Sequence, residues 1–149
     1  HFDMTIFPQI KKDYIDTGKV YYTFRVFPLS QVDVAAEAMA RCLPTESYFQ
    51  FIDMMFRNQP KWDPDGYQIP DVHAALVDMG KIAGMSPDQV DKCIGDPAAQ
   101  KRITDVGDYA QTTYGINGTP TFLVNGQTSP PFGSYDDVKK YLDAMLAKK

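Results

Sequence analysis

At 149 residues the chain has room for one domain, or for one domain carrying an insertion. A composition that is 44% hydrophobic and 23% charged is that of an ordinary globular protein, and a net charge of −4 gives no reason to expect nucleic acid or an anionic membrane as a partner. No apolar run approaches the ~20 residues of a membrane span, so no membrane insertion is expected. There is neither a signal peptide nor an initiator Met, which suggests a mature form or a fragment.

In chain order, residues 3 to 17 read as a helix, because Ile6, Ile10, Tyr14 and Ile15 recur at helical spacing. Pro8 should kink it by removing the bond to the carbonyl of Met4, and Gly18 should end it. Val20 to Phe27 is nearly continuous in β-branched and aromatic residues, the pattern of a strand buried on both faces of a parallel sheet. A helix followed directly by such a strand is half of a βαβ unit.

Residues 32 to about 94 change character. Val32, Ala35, Ala36, Met39, Ala40 and Leu43 make one helical stripe. Thr45 can cap a second helix through Phe49, Ile52, Met55 and Phe56, with Met54-Met55-Phe56 read as core. Asn58 to Pro70 reads as a long loop. Val72, Ala75, Leu76, Met79 and Ile82 mark a third helix, stopped by Gly84. Ser86-Pro87-Asp88-Gln89 is a capping box that opens a short helix to Cys93. The block holds no convincing strand and reads as an all-helical insertion.

Asp96-Pro97 starts another helix, whose Ile103, Val106, Ala110, Thr113 and Tyr114 share a face up to Gly115. Thr121 to Val124 reads as a strand, Asn125-Gly126 as a hairpin turn, and the neighbourhood of Ser129 to Phe132 as the returning strand. Ser134 and Asp137 cap a last helix with the stripe Val138, Tyr141, Leu142, Met145 and Leu146, and Lys148 and Lys149 suit its C-terminal end.

Chemistry-bearing residues are few. Cys42 and Cys93 are not at Cys-x-x-Cys spacing. A structural disulfide in an oxidising compartment is favoured over a redox-active pair or two buried thiols. Closing a loop of that length would stabilise the fold by about 4 kcal/mol on the chain-entropy account. His73 lies beside an apolar stripe and reads as a surface or satisfied histidine; no second His or Cys stands at ligand spacing, so no metal is expected. Asn117-Gly118-Thr119 matches the glycosylation sequon, but turn chemistry explains the loop better.

The stretch Gly115-Ile116-Asn117-Gly118-Thr119-Pro120-Thr121-Phe122-Leu123-Val124-Asn125-Gly126 resembles the cis-proline loop of the DsbA-like thiol–disulfide oxidoreductases, a branch of the thioredoxin superfamily. His1-Phe2 with Phe7-Pro8-Gln9-Ile10-Lys11 and Tyr14 to Val20 resembles that family's first helix and following strand. Arg25-Val26-Phe27-Pro28-Leu29, then Ala35-Ala36 and Ala40-Arg41-Cys42, resembles the entry into its helical insertion.

The resemblance implies an α/β thioredoxin-like fold whose residues 1–31 and 99–149 form the discontinuous main domain and whose residues 32–98 form the insertion. The first core strand, expected between the strands at Val20–Phe27 and Thr121–Val124, is absent from this chain. The family's Cys-x-x-Cys is expected just upstream of His1, so no catalytic residue is expected within the chain, and the chain alone is expected to be inactive. Gly118, Thr119, Pro120, His1 and Phe2 would face substrate: the Thr119-Pro120 peptide can pair with an extended polypeptide when its bond is cis. The resemblance further implies unfolded or reduced polypeptide substrates, reoxidation by a membrane partner of the DsbB type, a periplasmic or secreted location and no cofactor. A non-catalytic peptide-binding module and a glutathione-dependent isomerase of the related branch stand as alternatives.

Overall fold

A computed structural model of the chain describes residues 1–148; Lys149, expected at the end of the last helix, lies outside the described residues. The chain divides into two compact units, one of Val26–Ile116 and one of His1–Arg25 with the described residues from Asn117 on. This division groups the long helix after Asp96 with the helical unit, whereas the expected domain boundaries fall at 31/32 and 98/99.

The helical unit comprises α3 (Gln31–Cys42), α4 (Tyr48–Arg57), α5 (Gln59–Trp62), α6 (Val72–Ile82), α7 (Pro87–Ile94) and α8 (Pro97–Tyr114), numbered after two short helices α1 and α2 of the other unit. It contains no strand among the described residues. Four of them, α3, α6, α7 and α8, start where a side chain satisfies one of the first free N–H groups. Ser30 with Asp33 and Ser86 with Gln89 form capping boxes, and Asp71 and Asp96 accept from the backbone of Ala74 and Ala98. Two expectations shift. Thr45 opens a 3-10 turn, Thr45–Ser47, directly after Pro44, rather than capping α4. The loop expected from Asn58 holds the one-turn helix α5 with Pro60 in its first turn, which Pro tolerates.

Met39, Ala40 and Val90 are wholly buried at the centre of this unit, with Phe51, Met55, Trp62, Leu76 and Met85 around them. Trp62 donates its indole N–H to the carbonyl of Met55 at 2.8 Å, so the polar end of the ring is satisfied in the core. Gly80 lets α6 approach α7: a Cβ there would collide with Val90 Cγ2 and lie 3.2 Å from Met39 Cε. Glu37 is 2% exposed and accepts from Arg41 Nε at 2.7 Å and from the Tyr48 hydroxyl at 2.9 and 3.0 Å, which compensates its burial. Burial, then the neighbouring Glu37 carboxylate, raises the Tyr48 hydroxyl pKa.

The other unit holds α1 (Phe2–Thr5), α2 (Phe7–Ile10), a π-helical turn (Lys11–Ile15), β1 (Leu123–Val124), β2 (Gln127–Thr128) and α9 (Tyr135–Leu146). The single helix expected over 3 to 17 is thus three short pieces. Pro8 offers no N–H to the carbonyl of Met4, and the ladder re-forms through Ile6, whose carbonyl accepts from both Gln9 N–H and Ile10 N–H at 3.2 Å. Wider winding then appears as the bond from Asp16 N–H to the Lys11 carbonyl at 2.8 Å. Gly18, at φ 73°, ends the run. Ile6, Ile10 and Tyr14 bury against Val138 and Leu142 of α9.

The strand expected at Val20 to Phe27 is not a strand. The segment carries no ladder, and the sheet of the described residues contains only β1 and β2. Nor is it buried on both faces: Val20, Tyr22, Phe24 and Val26 are half-buried, while Thr23 and Arg25 are exposed and Tyr21 is 94% exposed. A strand is defined by its pairing, and an apolar extended segment with no neighbour alongside keeps the period of two without becoming one. The hairpin is also shorter than expected and returns earlier. β1 covers Leu123–Val124 instead of Thr121 to Val124, and β2 is Gln127–Thr128 instead of Ser129 to Phe132. A two-residue turn forces this register: Val124 pairs with Gln127 and Leu123 with Thr128.

Candidate functional site

The site is built where α8 gives way to the hairpin. Gly115, at φ 68°, ends α8 in the left-handed region, and Ile116 N–H reaches back to the Ala110 carbonyl at 3.4 Å. The chain then runs through Asn117 and Gly118 to Thr119-Pro120, whose peptide bond is cis. Thr121 Oγ1 donates to the Gly118 carbonyl at 2.6 Å and braces the loop across that peptide. Asn125 at φ 52° and Gly126 at φ 80° make the tight turn that Asn-Gly prefers, and Ser129 N–H adds a bond to the Phe122 carbonyl at 2.9 Å.

Aromatic side chains fasten this hairpin to the first helix. The Phe122 ring lies 4.7 Å from that of Phe2 and 5.1 Å from that of Phe132. Phe132 in turn meets Tyr141 of α9 at 5.5 Å, and Phe2 and Phe7 are 6.4 Å apart. Phe7 lies 4.9 Å from Tyr22 of the extended segment. These are tilted and edge-on arrangements at the separations that aromatic pairs favour. Thr119 and Pro120 are exposed, three and two positions before the ring that packs on Phe2, so the Thr119-Pro120 peptide is displayed to solvent.

The residues expected to face substrate therefore fall in one unit. Phe2 is half-buried on Phe122; Gly118 supplies the braced carbonyl; Thr119 and Pro120 form the cis peptide; His1 is exposed, its Nε2 lying 3.3 Å from Thr5 Oγ1. Cys42 and Cys93 belong to the helical unit, where they are bonded to each other across 51 positions; Cys42 is exposed and Cys93 buried. His73 is an exposed partner of Asp91, with Nε2 2.6 Å from Oδ1. No three His, Cys, Asp or Glu residues among the described ones could hold a metal ion, and no helix there is long and apolar enough to cross a membrane.

Two features of the unit have no counterpart in the sequence reading. The rings of Phe122 and Phe132 act together, although they stand ten positions apart on either side of the turn; the Asn-Gly turn that sets their register was the available signal. Tyr14 donates to Asp143 Oδ1 at 2.6 Å, and the Tyr135 hydroxyl donates to Asp13, so two reciprocal tyrosine–carboxylate pairs lace the π-helical turn to α9. Burial, then the bond to Asp143, pushes the Tyr14 pKa up to about 12. The Lys139 ammonium, then the Tyr14 hydroxyl, holds the Asp143 carboxyl below the usual range.

A family model described as thioredoxin matches residues 1–144. A Rickettsia typhi chain, named as a candidate protein-disulfide oxidoreductase, is 32% identical over 148 residues, covering 98% of this chain and 53% of its own length. The chain thus spans about half the length of that relative. Disulfide bond formation protein D of Bacillus subtilis is 25% identical over 159 residues, covering 99% of this chain and 67% of its own length. Among solved structures, α-DsbA1 of Wolbachia pipientis superposes with a TM-score of 0.82 at 25% identity, covering 99% of this chain and 78% of that one. Oxidised BdbD of Bacillus subtilis superposes with a TM-score of 0.78 at 25% identity, covering 98% and 79%.

Proposed function

The chain belongs to the thioredoxin family, in its DsbA-like branch, and from that premise we propose that it forms the substrate-facing body of an oxidoreductase that makes disulfides in exported polypeptides. The observation that carries this reading is the exposed Thr119-Pro120 segment, on a hairpin whose Phe122 ring lies 4.7 Å from that of Phe2 at the start of α1. Proline contributes no N–H of its own, so the exposed backbone groups beside it are left for an extended polypeptide to pair with.

In this reading the dithiol pair is carried by residues N-terminal to His1, and Cys42–Cys93 is a structural bond. The attacking group in the exchange is a substrate thiolate. It displaces one sulfur of the enzyme disulfide to form a mixed disulfide. A second substrate thiolate then breaks that bond, leaving the substrate oxidised and the enzyme pair reduced. This chain's own part is to hold the substrate backbone at Gly118, Thr119 and Pro120, with His1 and Phe2 flanking. Residues 1–31 and 99–149 then make up the thioredoxin-like domain and 32–98 the insertion. A DsbB-type membrane partner for reoxidation and a periplasmic or secreted location follow from the same family reading.

The test compares the longer encoded protein with the 149-residue chain in the oxidative refolding of a reduced, unfolded substrate. Disulfide formation is expected from the longer protein and none from the chain alone. Replacing Pro120 by Ala in the longer protein should raise KM for a peptide substrate more than it lowers kcat. Refolding by the 149-residue chain at the rate of the longer protein, or no oxidation by either, overturns the reading.

A further inference from the structure

The chain has two Asn-Gly dipeptides, Asn117-Gly118 and Asn125-Gly126, and the structure treats them differently. Asn-Gly is the pair most open to intramolecular attack by the following amide nitrogen, because glycine places no side chain in the way. Whether the attack occurs in a folded protein depends on how freely the two residues can turn.

Asn125-Gly126 is held. Both residues are in the left-handed region, at φ 52° and 80°, and the turn is closed by the pairing of Val124 with Gln127. Turning either residue out of that conformation requires opening the hairpin.

Asn117-Gly118 is not held in this way. Asn117 is exposed and lies outside any helix, strand or turn. Among the described residues no hydrogen bond reaches its side chain or the Gly118 N–H. A Cβ placed on Gly118 would meet nothing within 4 Å, so the space around the attacking nitrogen is open. The fixed point of the loop is the carbonyl at the other end of the same residue, the Gly118 oxygen bound by Thr121.

We propose that Asn117 is a site of spontaneous covalent modification, at which the loop carrying the cis Thr119-Pro120 peptide is altered as the protein ages. The Gly118 backbone nitrogen bonds to Asn117 Cγ and gives up its proton to hydroxide. The Cγ–Nδ2 bond breaks and ammonia leaves. Water then opens the resulting succinimide at either carbonyl to give aspartate or isoaspartate. No oxidant, reductant or enzyme is required. Either product adds one negative charge three positions before Pro120, and isoaspartate also adds one carbon to the backbone path of the loop.

The experiment is a time course of the folded 149-residue chain at mildly alkaline pH, read by peptide mapping and mass spectrometry for loss of amide at each Asn. Conversion at Asn117 should be at least about tenfold faster than at Asn125, the ratio set by the cost of opening the hairpin. In denaturant the two rates should converge. Gly118→Ala, which the open space accommodates without unfolding, should slow conversion at Asn117 several-fold and leave Asn125 unchanged. Equal rates at the two sites in the folded chain overturn the inference. So does an Asn117 that stays intact in the folded chain while converting in denaturant.

Discussion

The two compact units hold together by different means. In the helical unit the centre is dry: Met39, Ala40 and Val90 are wholly buried, Gly80 lets two helices close on each other, and a disulfide ties α3 to α7. In the other unit the fully buried set is Ile6, Ile10, Tyr14, Val138 and Leu142, and much of the remaining apolar area is in half-buried rings. One of its segments, Val20 to Arg25, alternates half-buried and exposed residues yet carries no ladder. The contrast places the dry core and the disulfide in the unit without the Thr119-Pro120 peptide, and leaves the unit with it held by ring contacts and two tyrosine–carboxylate pairs. On the proposed reading, a surface that accepts extended polypeptides would gain from this arrangement, since the elements that move on binding come from the less stable part of a fold.

The largest expected effect tests the first half of the contrast. Reducing the Cys42–Cys93 bond, or replacing both residues by Ser, frees a loop spanning 51 positions. On the chain-entropy account that loss is about 4 kcal/mol. Trp62 is the only tryptophan and is buried in the helical unit, so its fluorescence reports that unit specifically. Denaturant unfolding followed at Trp62 should show a much lower midpoint after reduction, while the hydrogen-exchange signal of the α9 amides in the other unit moves less. Equal shifts in both signals would mean that the units unfold as one body and that the contrast is static only.

The same contrast explains what was legible in the sequence. Helices were readable because their signals are local: Ser86 in the insertion and Ser134 before α9 sit three residues before the partners that complete their capping boxes, and apolar stripes repeat at helical spacing. The hairpin turn was readable because Asn125 and Gly126 both need positive φ. Val20 to Phe27 was misread because composition reports the wish for a ladder, and the ladder itself needs a partner elsewhere in space. The break at Ile6 was half-legible: Pro8 announced a kink, but not that the ladder would resume as separate pieces with a π-helical turn. The cis peptide was legible as an option through the family motif, whereas the ring contacts that seat its loop join residues from three parts of the chain and have no local signature.

A middle-sized effect tests the second half of the contrast. Phe122→Ala removes ring contacts to Phe2 and Phe132, each worth ~0.5–1.5 kcal/mol beyond area burial. The variant should melt earlier in the unit that carries the cis peptide, with the Trp62 signal nearly unchanged. Phe122→Leu should recover part of the loss, because it keeps apolar area and gives up only the ring-to-ring component. If Phe122→Ala moves both signals equally, the rings are general core rather than the fastening of one hairpin.

The smallest effect concerns pH. Tyr14 has its pKa pushed up to about 12 by burial and then by its bond to Asp143, against an ordinary value near 10. A raised folded-state pKa on a group that is neutral when protonated contributes stability that is fully present below the unfolded value. That stability is lost as pH rises toward the folded one, because the unfolded chain gives up its proton first. The unit holding Tyr14 should therefore lose stability between about pH 10 and 12, and Tyr14→Phe should flatten that alkaline limb. At neutral pH the same variant should cost only about 1 kcal/mol, the net worth of one hydrogen bond, since the ring and its burial remain. Thermal melts of wild type and Tyr14→Phe across the alkaline range check this. An alkaline limb of equal slope in both proteins would shift the cause to Tyr135, whose own bond to Asp13 raises its pKa to about 12 and ties the same two segments together from the opposite side.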